Sequence, residues 1–501
     1  MRNLILLLMP FFVFLSFTQA EEGNIYAGQG IMAGELSESG VCIQLRLSSG
    51  TTLSEGDLPG KEGWAKFILK EEKSGVEVGS AKLVHAIEKH DHIARVQYKN
   101  LKSNTNYTCT AMIGPNKKSL EVGPTISFKT HQGELTDEPA SFVVTTGFAY
   151  AKFHGDDANI DEAMRKKHLF RNKTELAKPY EGHDKHLGYP ALEAILKMKP
   201  NFFVGTGDTV YYDFPNLNAA TTLPTMRKKY HEQFIQPRFK DLFAEVPTYW
   251  QVDDHDYRID NGDNTGDHEP SVELAQRVLL EQLPFGMLDD KNLKTYRTYR
   301  VNKDMQVWLL EGRFYRTPNE GPDGPEKTMW GKEQTAWLKK TLSESTATFK
   351  IMISPTPMLG PDGSWKIDNH ASVGGYNYER DSFFKWIKDT ELDKKGFYIV
   401  CGDRHWQYHC INPQGIEEFS CGALIDTNSR LGYLPGGADT TDPKGLLKHL
   451  YAQDPASGGF LRVAVEPKTK TKRATLRFNF HDEHGVLLHS TMRQPRPIVP
   501  E

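Results

Sequence analysis

The sequence has little cysteine, little net charge and almost no long apolar runs. Five cysteines in 501 residues cannot build a disulfide scaffold. Lys and Arg total 61 against 65 Asp and Glu, a net of −4. That balance argues against a dedicated nucleic-acid binder. No stretch after the first twenty residues is long and apolar enough to span a bilayer, which excludes a polytopic membrane protein. There is no internal repeat and no low-complexity tract, so solenoids and fibrous arrays are excluded too. What remains is a folded globular composition, 38% hydrophobic and 25% charged, in a chain long enough for two or more domains. Histidine stands out at 18.

The one apolar run is N-terminal. Arg2 precedes Leu4 to Phe17, and Thr18-Gln19-Ala20 puts small residues ahead of Glu21-Glu22. This reads as a cleaved signal peptide, residues 1–20, rather than an anchor. It predicts export to the periplasm or extracellular space, with no transmembrane segment left after removal. Export permits disulfides, and Cys42 and Cys109 could pair.

Residues 25–131 read as a small all-β domain. Val41 to Leu47 and Ile93 to Tyr98 alternate apolar and polar side chains, and turns separate further short strands. This predicts a fibronectin- or immunoglobulin-like sandwich. Residues 131–139 form a polar linker. Residues 140–495 read as α/β, with apolar strands at Phe142 to Thr145, Phe202 to Gly205, Val307 to Leu310, Phe349 to Ile353 and Phe397 to Cys401. Helices are expected from Leu192 to Met198, Met226 to Phe243 and Lys332 to Leu342. The basic run Arg227-Lys228-Lys229 reads as a solvated helix face. His231, His449 and His481 read as surface or supporting residues.

Chemistry concentrates where buried strands end, which is where ligands collect in α/β sheets. Three apolar runs break directly into ionisable groups. They are Gly207-Asp208-Thr209-Val210-Tyr211, Asp253-Asp254-His255-Asp256-Tyr257 and Gly402-Asp403-Arg404-His405. Clustered carboxylates repel one another unless a cation joins them. Oxygen and imidazole donors suit Fe(III), Zn, Mn, Mg or Ca. Such ions polarise a phosphoryl oxygen and generate hydroxide at neutral pH.

These motifs, with Gln29 to Glu35, Leu309 to Arg316 and Gly331 to Leu338, occur in an order that resembles the alkaline phosphatase D (PhoD-like) family of metallophosphoesterases. The chain is more distantly similar to purple acid phosphatases. The resemblance implies a layered α/β metallophosphoesterase fold behind the N-terminal β domain. It implies an exported metal-dependent phosphoester hydrolase, acting on mono- or diesters through a metal-bound hydroxide. The substrate would be a small or polymeric phosphoester, with no nucleic-acid-binding role. By the same resemblance Asp208 bridges two metals, Tyr211 ligates ferric iron, Asp254 holds the second metal, and Asp403 and His405 complete the coordination. His255 is the general acid. Arg313 or Arg316 offers a phosphate clamp, and His370 is a further ligand or substrate contact. Asp260 and Asn261 compete for one ligand position.

One departure counts against the family's iron and calcium pair. Thr146-Gly147-Phe148-Ala149 stands where the family usually carries Gly-Ser-Cys, and Phe148 cannot bind a metal. Another residue, such as His154, would have to substitute, or the iron site is altered. A degenerate relative that binds a phosphorylated or carbohydrate ligand without hydrolysis is the alternative reading.

Overall fold

The computed structural model describes residues 24–155, 162, 178–290 and 292–495. The expected signal peptide at 1–20 lies outside the described residues. The first strands are β1 (Ile31–Gly34), β2 (Gly40–Arg46), β3 (Gly63–Glu71), β4 (Lys82–Ala86), β5 (Ile93–Lys99), β6 (Asn106–Asn116) and β7 (Ser119–Lys129). Next come β8 (Ala140–Thr145), α1 (Tyr150–His154), α2 (Pro190–Met198), β9 (Phe202–Gly205), α3 (Leu223–Phe234), α4 (Pro237–Phe243), β10 (Thr248–Trp250) and α5 (Val272–Gln282). They are followed by β11 (Arg297–Arg300), β12 (Met305–Leu309), α6 (Gly331–Glu344), β13 (Phe349–Ser354), α7 (Asn377–Asp389) and β14 (Phe397–Cys401). The chain closes with β15 (Gln407–Ile411), β16 (Glu417–Cys421), β17 (Lys448–Ala452), β18 (Gly459–Glu466), β19 (Thr475–Asp482) and β20 (Leu487–Arg493).

Two large mixed sheets face each other. One runs β20-β19-β18-β8-β9-β10-β1-β2-β5, the other β11-β12-β13-β14-β16-β15-β17. Their inner strands, β8-β9-β10 and β12-β13-β14-β16, are parallel. Side-chain alternation explains the layering. Phe142, Val144, Phe202, Val204, Val307, Ile351, Ile353 and Val400 point between the sheets into one shared core. Their neighbours Val143, Phe203 and Trp250 point outward under α2 to α5. Trp308, Met352 and Ile399 point outward under α6 and α7. Strands β9 and β14 are therefore apolar on both faces, and polar groups follow directly at their ends.

The stretch 25–131 contains strands β1 to β7, but residue 131 is not a sheet boundary. β1 pairs with β10 in parallel through Gly34 and Thr248, so β1, β2 and β5 extend the nine-stranded sheet. A Cβ on Gly34 would fall 2.5 Å from Pro284 Cγ, so this junction requires glycine. β4-β3-β6-β7 form a separate four-stranded sheet.

Three local expectations change. Met226 to Phe243 is two helices, because Pro237 starts α4 after an extended Gln236. All five cysteines are free and buried, so Cys42 and Cys109 do not pair. His231 is buried between Asp57 (2.6 Å) and Asp91 (2.7 Å), fastening α3 to the N-terminal stretch. No helix among the described residues is long and apolar enough to cross a membrane.

Candidate metal centre

Two aspartates take backbone that side chains rarely adopt. Asp208, three residues past β9, has φ 52°, and Asp403, two past β14, has φ 56°. Each follows a glycine with no room for a side chain. A Cβ on Gly207 would sit 2.4 Å from Asp253 N, and one on Gly402 would sit 2.2 Å from Thr206 Oγ1. The tight turns follow directly on the ends of β9 and β14, and Asp208 enters the ligand cluster while Asp403 meets Arg404. Such strained positions persist only where surrounding structure fixes them. Asp256 supplies part of that fixing by accepting N–H bonds from Asp253 (2.8 Å) and Thr209 (3.1 Å). Burial pushes its carboxyl up to about 6.

Asp208, Asp254 and His255 bring ligand atoms within 4.8 Å of one another, a group that could hold a metal ion. Asp208 Oδ2 accepts a hydrogen bond from Tyr211 Oη at 2.9 Å and lies 3.3 Å from His405 Nε2. Asp208 Oδ1 is buried without a partner. Burial raises the Asp208 carboxyl well above its ordinary range; His255 opposes this, while Asp254, Asp256 and Asp403 add to it. Burial works against charge on Asp254 as well, but His255, Arg313 and Lys366 hold its carboxyl well below the usual range.

His255 Nδ1 is 2.7 Å from Asp213 Oδ1, and its ring stacks on Tyr211 with centroids 4.3 Å apart. Burial disfavours its charge, but Asp213, Asp254 and Asp208 raise its pKa well above the ordinary value. Asp213 thus orients the imidazole and leaves Nε2 toward the cluster.

The other expected residues divide into two groups. Tyr211 and His405 touch Asp208 directly. Asp403 is paired instead with Arg404, and Lys366 Nζ stands 3.6 Å from its Oδ2. Arg313 is fully buried, donating through Nε to Asp253 at 2.9 Å and through Nη1 to the Gly262 carbonyl at 2.9 Å. Arg316 donates to the carbonyls of Gly312 (2.6 Å) and Asp368 (3.0 Å). Arg313 therefore serves protein groups, whereas Arg316 Nη2 is buried without a hydrogen-bond partner. His370 is completely buried, 2.9 Å from Glu379 and tilted against the Trp330 ring, and is not in the ligand cluster.

Of the competing pair, Asn261 gives its N–H to Asp254 Oδ2 at 2.7 Å, and its own Oδ1 is buried without a partner. Asp260 lies 4.0 Å from His255 Nε2 and gives its N–H to Asp213. Phe148 enters the site by its backbone only. Its N–H donates to the Asp208 carbonyl at 3.0 Å, while its ring packs among Tyr189, Phe203, Phe239 and Trp250. His154 packs on Tyr150 and Phe153 and is not in the ligand cluster.

Four contributors escape the motif reading. Asp213 sits two residues past Tyr211, so that spacing held a signal. Asn428 donates to Tyr211 Oη at 2.8 Å and accepts from Lys152 Nζ at 2.6 Å. Neither Asn428 nor Lys152 belongs to a recognisable pattern. Lys366 lies 3.5 Å from Asp368 and faces Asp403, again from a loop without a motif.

Two facing sheets, flanked by helices, carry Asp and His at their strand ends. The PhoD-like phosphatase family matches residues 180–458, more than half of the chain. The chain belongs to that family. It is similar to alkaline phosphatase D of Bacillus subtilis (strain 168), 22% identical over 416 residues. That match spans 75% of this chain and 64% of the Bacillus protein, less than two thirds of its length. A solved structure of PhoD superposes with a TM-score of 0.69 at 17% identity, covering 94% of this chain and 90% of that one. Purple acid phosphatase from yellow lupin (Lupinus luteus) seeds shares the fold more distantly. Its TM-score is 0.56 at 10% identity, over 93% of this chain and 73% of that one.

Proposed function

We propose that this chain is an exported, metal-dependent phosphoester hydrolase acting at the Asp208, Asp254 and His255 cluster. The carrying observation is the buried, unpartnered Oδ1 of Asp208 within a group of three ligand-bearing side chains. A buried carboxylate without a partner costs several kcal/mol unless a cation or donor meets it. The donor set is oxygen and imidazole, which fits hard and borderline ions. Asp208, Asp254 and Asn261 would hold them, with Tyr211, His405 and Asp403 beside.

Bound cations would supply Lewis-acid polarisation of the phosphoryl group and a more acidic water. The chain's own residues do the rest. His255, fixed at Nδ1 by Asp213, donates a proton from Nε2 to the departing alcohol oxygen. Asn428 fixes the Tyr211 hydroxyl, which in turn fixes Asp208 Oδ2. Asp256 locks the Asp208 and Asp253 loops together. No serine or threonine stands in the ligand cluster, so the proposal predicts no phospho-enzyme.

The test is release of 4-nitrophenol from mono- and bis-(4-nitrophenyl) phosphate. Activity should vanish on chelation and return with added metal. Metal-loaded protein that turns over neither ester contradicts the proposal and favours a binding-only relative.

A further inference from the structure

Two cations of the chain itself already meet Asp403, the carboxylate expected to bind metal. Lys366 Nζ lies 3.6 Å from Asp403 Oδ2 and 3.5 Å from Asp368 Oδ1, and its side chain is only 6% exposed. Arg404 pairs with Asp403 on one side and with Asp362 on the other. Asp368 Oδ2 stands 3.5 Å from Arg313 Nη2, and its Oδ1 is buried without a hydrogen-bond partner. Ordering a lysine stem at this depth costs rotamer freedom, and its ammonium gives up water. The carboxylates on either side offset those costs.

The buried charges pair off in a definite way. Asp253 has Arg313, Asp362 has Arg404, and Asp368 and Asp403 share Lys366. Among the described residues, the group that could hold a metal ion is Asp208, Asp254 and His255, and neither Asp368 nor Asp403 belongs to it. Lys366 is not remote from that group, because its charge acts on Asp254. One buried carboxylate cluster is thus met by fixed cations at Asp368 and Asp403 and left to a mobile ion at Asp208 and Asp254.

We propose that Lys366 is a built-in cation, whose ammonium fills the space between Asp368 and Asp403 that a further divalent ion would otherwise take. The inference rests on the reading above only in taking the Asp208 group as the site where metal does bind. A lysine ammonium is a compact point charge with donors and no open coordination position. It balances the two carboxylates but supplies none of the Lewis acidity of a metal ion. The chain therefore carries one ion fewer than its carboxylates could hold.

The experiment counts calcium, a hard cation that takes carboxylate oxygens. The metal-loaded full chain is dialysed to equilibrium against excess calcium, and metal per chain is read by elemental mass spectrometry. Lys366→Ala should carry about one more calcium per chain than the wild type. Lys366→Arg keeps the charge and should match the wild type. Lys366→Ala/Asp368→Asn lacks one of the two carboxylates and should match it as well. A lysine that only pairs buried acids would lower the melting temperature of Lys366→Ala with no gain of calcium, and that result overturns the proposal. Extra calcium that persists in the double variant overturns it too, because the ion then sits elsewhere. Should Lys366→Ala fold only with calcium present, the proposal is supported; failure to fold even in excess calcium overturns it. The wild-type count is scored separately. A wild type that binds no metal contradicts the hydrolase reading, while a gain of calcium in Lys366→Ala leaves the built-in cation standing.

Discussion

Replacing Arg313 separates a structural guanidinium from a phosphate clamp. Its side chain and that of Asp253 are both 0% exposed, and their nitrogen and oxygen meet at 2.5 Å. Asp254 and Asp368 lie 3.8 and 3.5 Å from the same nitrogen. Arg313→Ala would leave the Asp253 carboxyl buried without its guanidinium partner, with its Oδ2 already lacking one. Breaking a buried pair in this way costs about 3–5 kcal/mol. At about 2–4 °C of melting temperature per kcal/mol, the expected drop is on the order of 10 °C. The double variant Asp253→Asn/Arg313→Met should recover most of it, because no buried charge remains. Thermal melts of the two single variants and the double give the coupling directly. An Arg313→Ala protein that melts like the wild type, with KM for 4-nitrophenyl phosphate raised tenfold or more, would refute the reasoning and restore the clamp.

Asp213→Asn should lower kcat about tenfold or more with KM little changed, because His255 loses the group that fixes its ring; an unchanged kcat would contradict the role of Asp213. Asn428→Ala removes the bonds to Tyr211 and Lys152 and should cost about 1–2 kcal/mol in kcat/KM while the fold persists. Gly207→Ala should yield no soluble protein, since φ is 98° and a Cβ would fall 2.4 Å from Asp253 N. Hydrogen bonding from Arg238 holds Asp184 down to about 2. Its folded pKa lies below the unfolded value near 3.9. That contribution is therefore complete above about pH 4 and lost as pH falls through about 2. The stability of Asp184→Asn should vary less with pH across that window than that of the wild type.

The strands that position the site were legible because they are apolar on both faces and end abruptly. Phe202 to Gly205 and Phe397 to Cys401 fall at the expected residues. The polar residues at their ends stood out for the same reason. The pairing of β1 with β10 was not legible, because it depends on the single register contact of Gly34 with Thr248. Pro237 carried the signal for the helix break, but the apolar and basic pattern on either side masked it. Within the site, Asp208, Tyr211, Asp254, His255 and His405 come together as neighbours in space. Arg313 was harder to read, because sequence shows a guanidinium but not the buried Asp253 that occupies it. Asn428 and Lys152 reach Tyr211 from distant loops, and residue type alone gives no hint of that convergence. Phe148 carried information of another kind: its backbone supports Asp208 while its ring belongs to the core under the helices.

The central claim is that the Asp208 cluster holds the metal that hydrolyses a phosphoester. The most direct measurement is metal-dependent release of 4-nitrophenol by wild-type and Asp208→Ala protein at matched metal concentration. The account predicts turnover by the wild type that rises with added metal, and loss of that turnover in Asp208→Ala with the melting curve still cooperative. Equal turnover in the two proteins would contradict it.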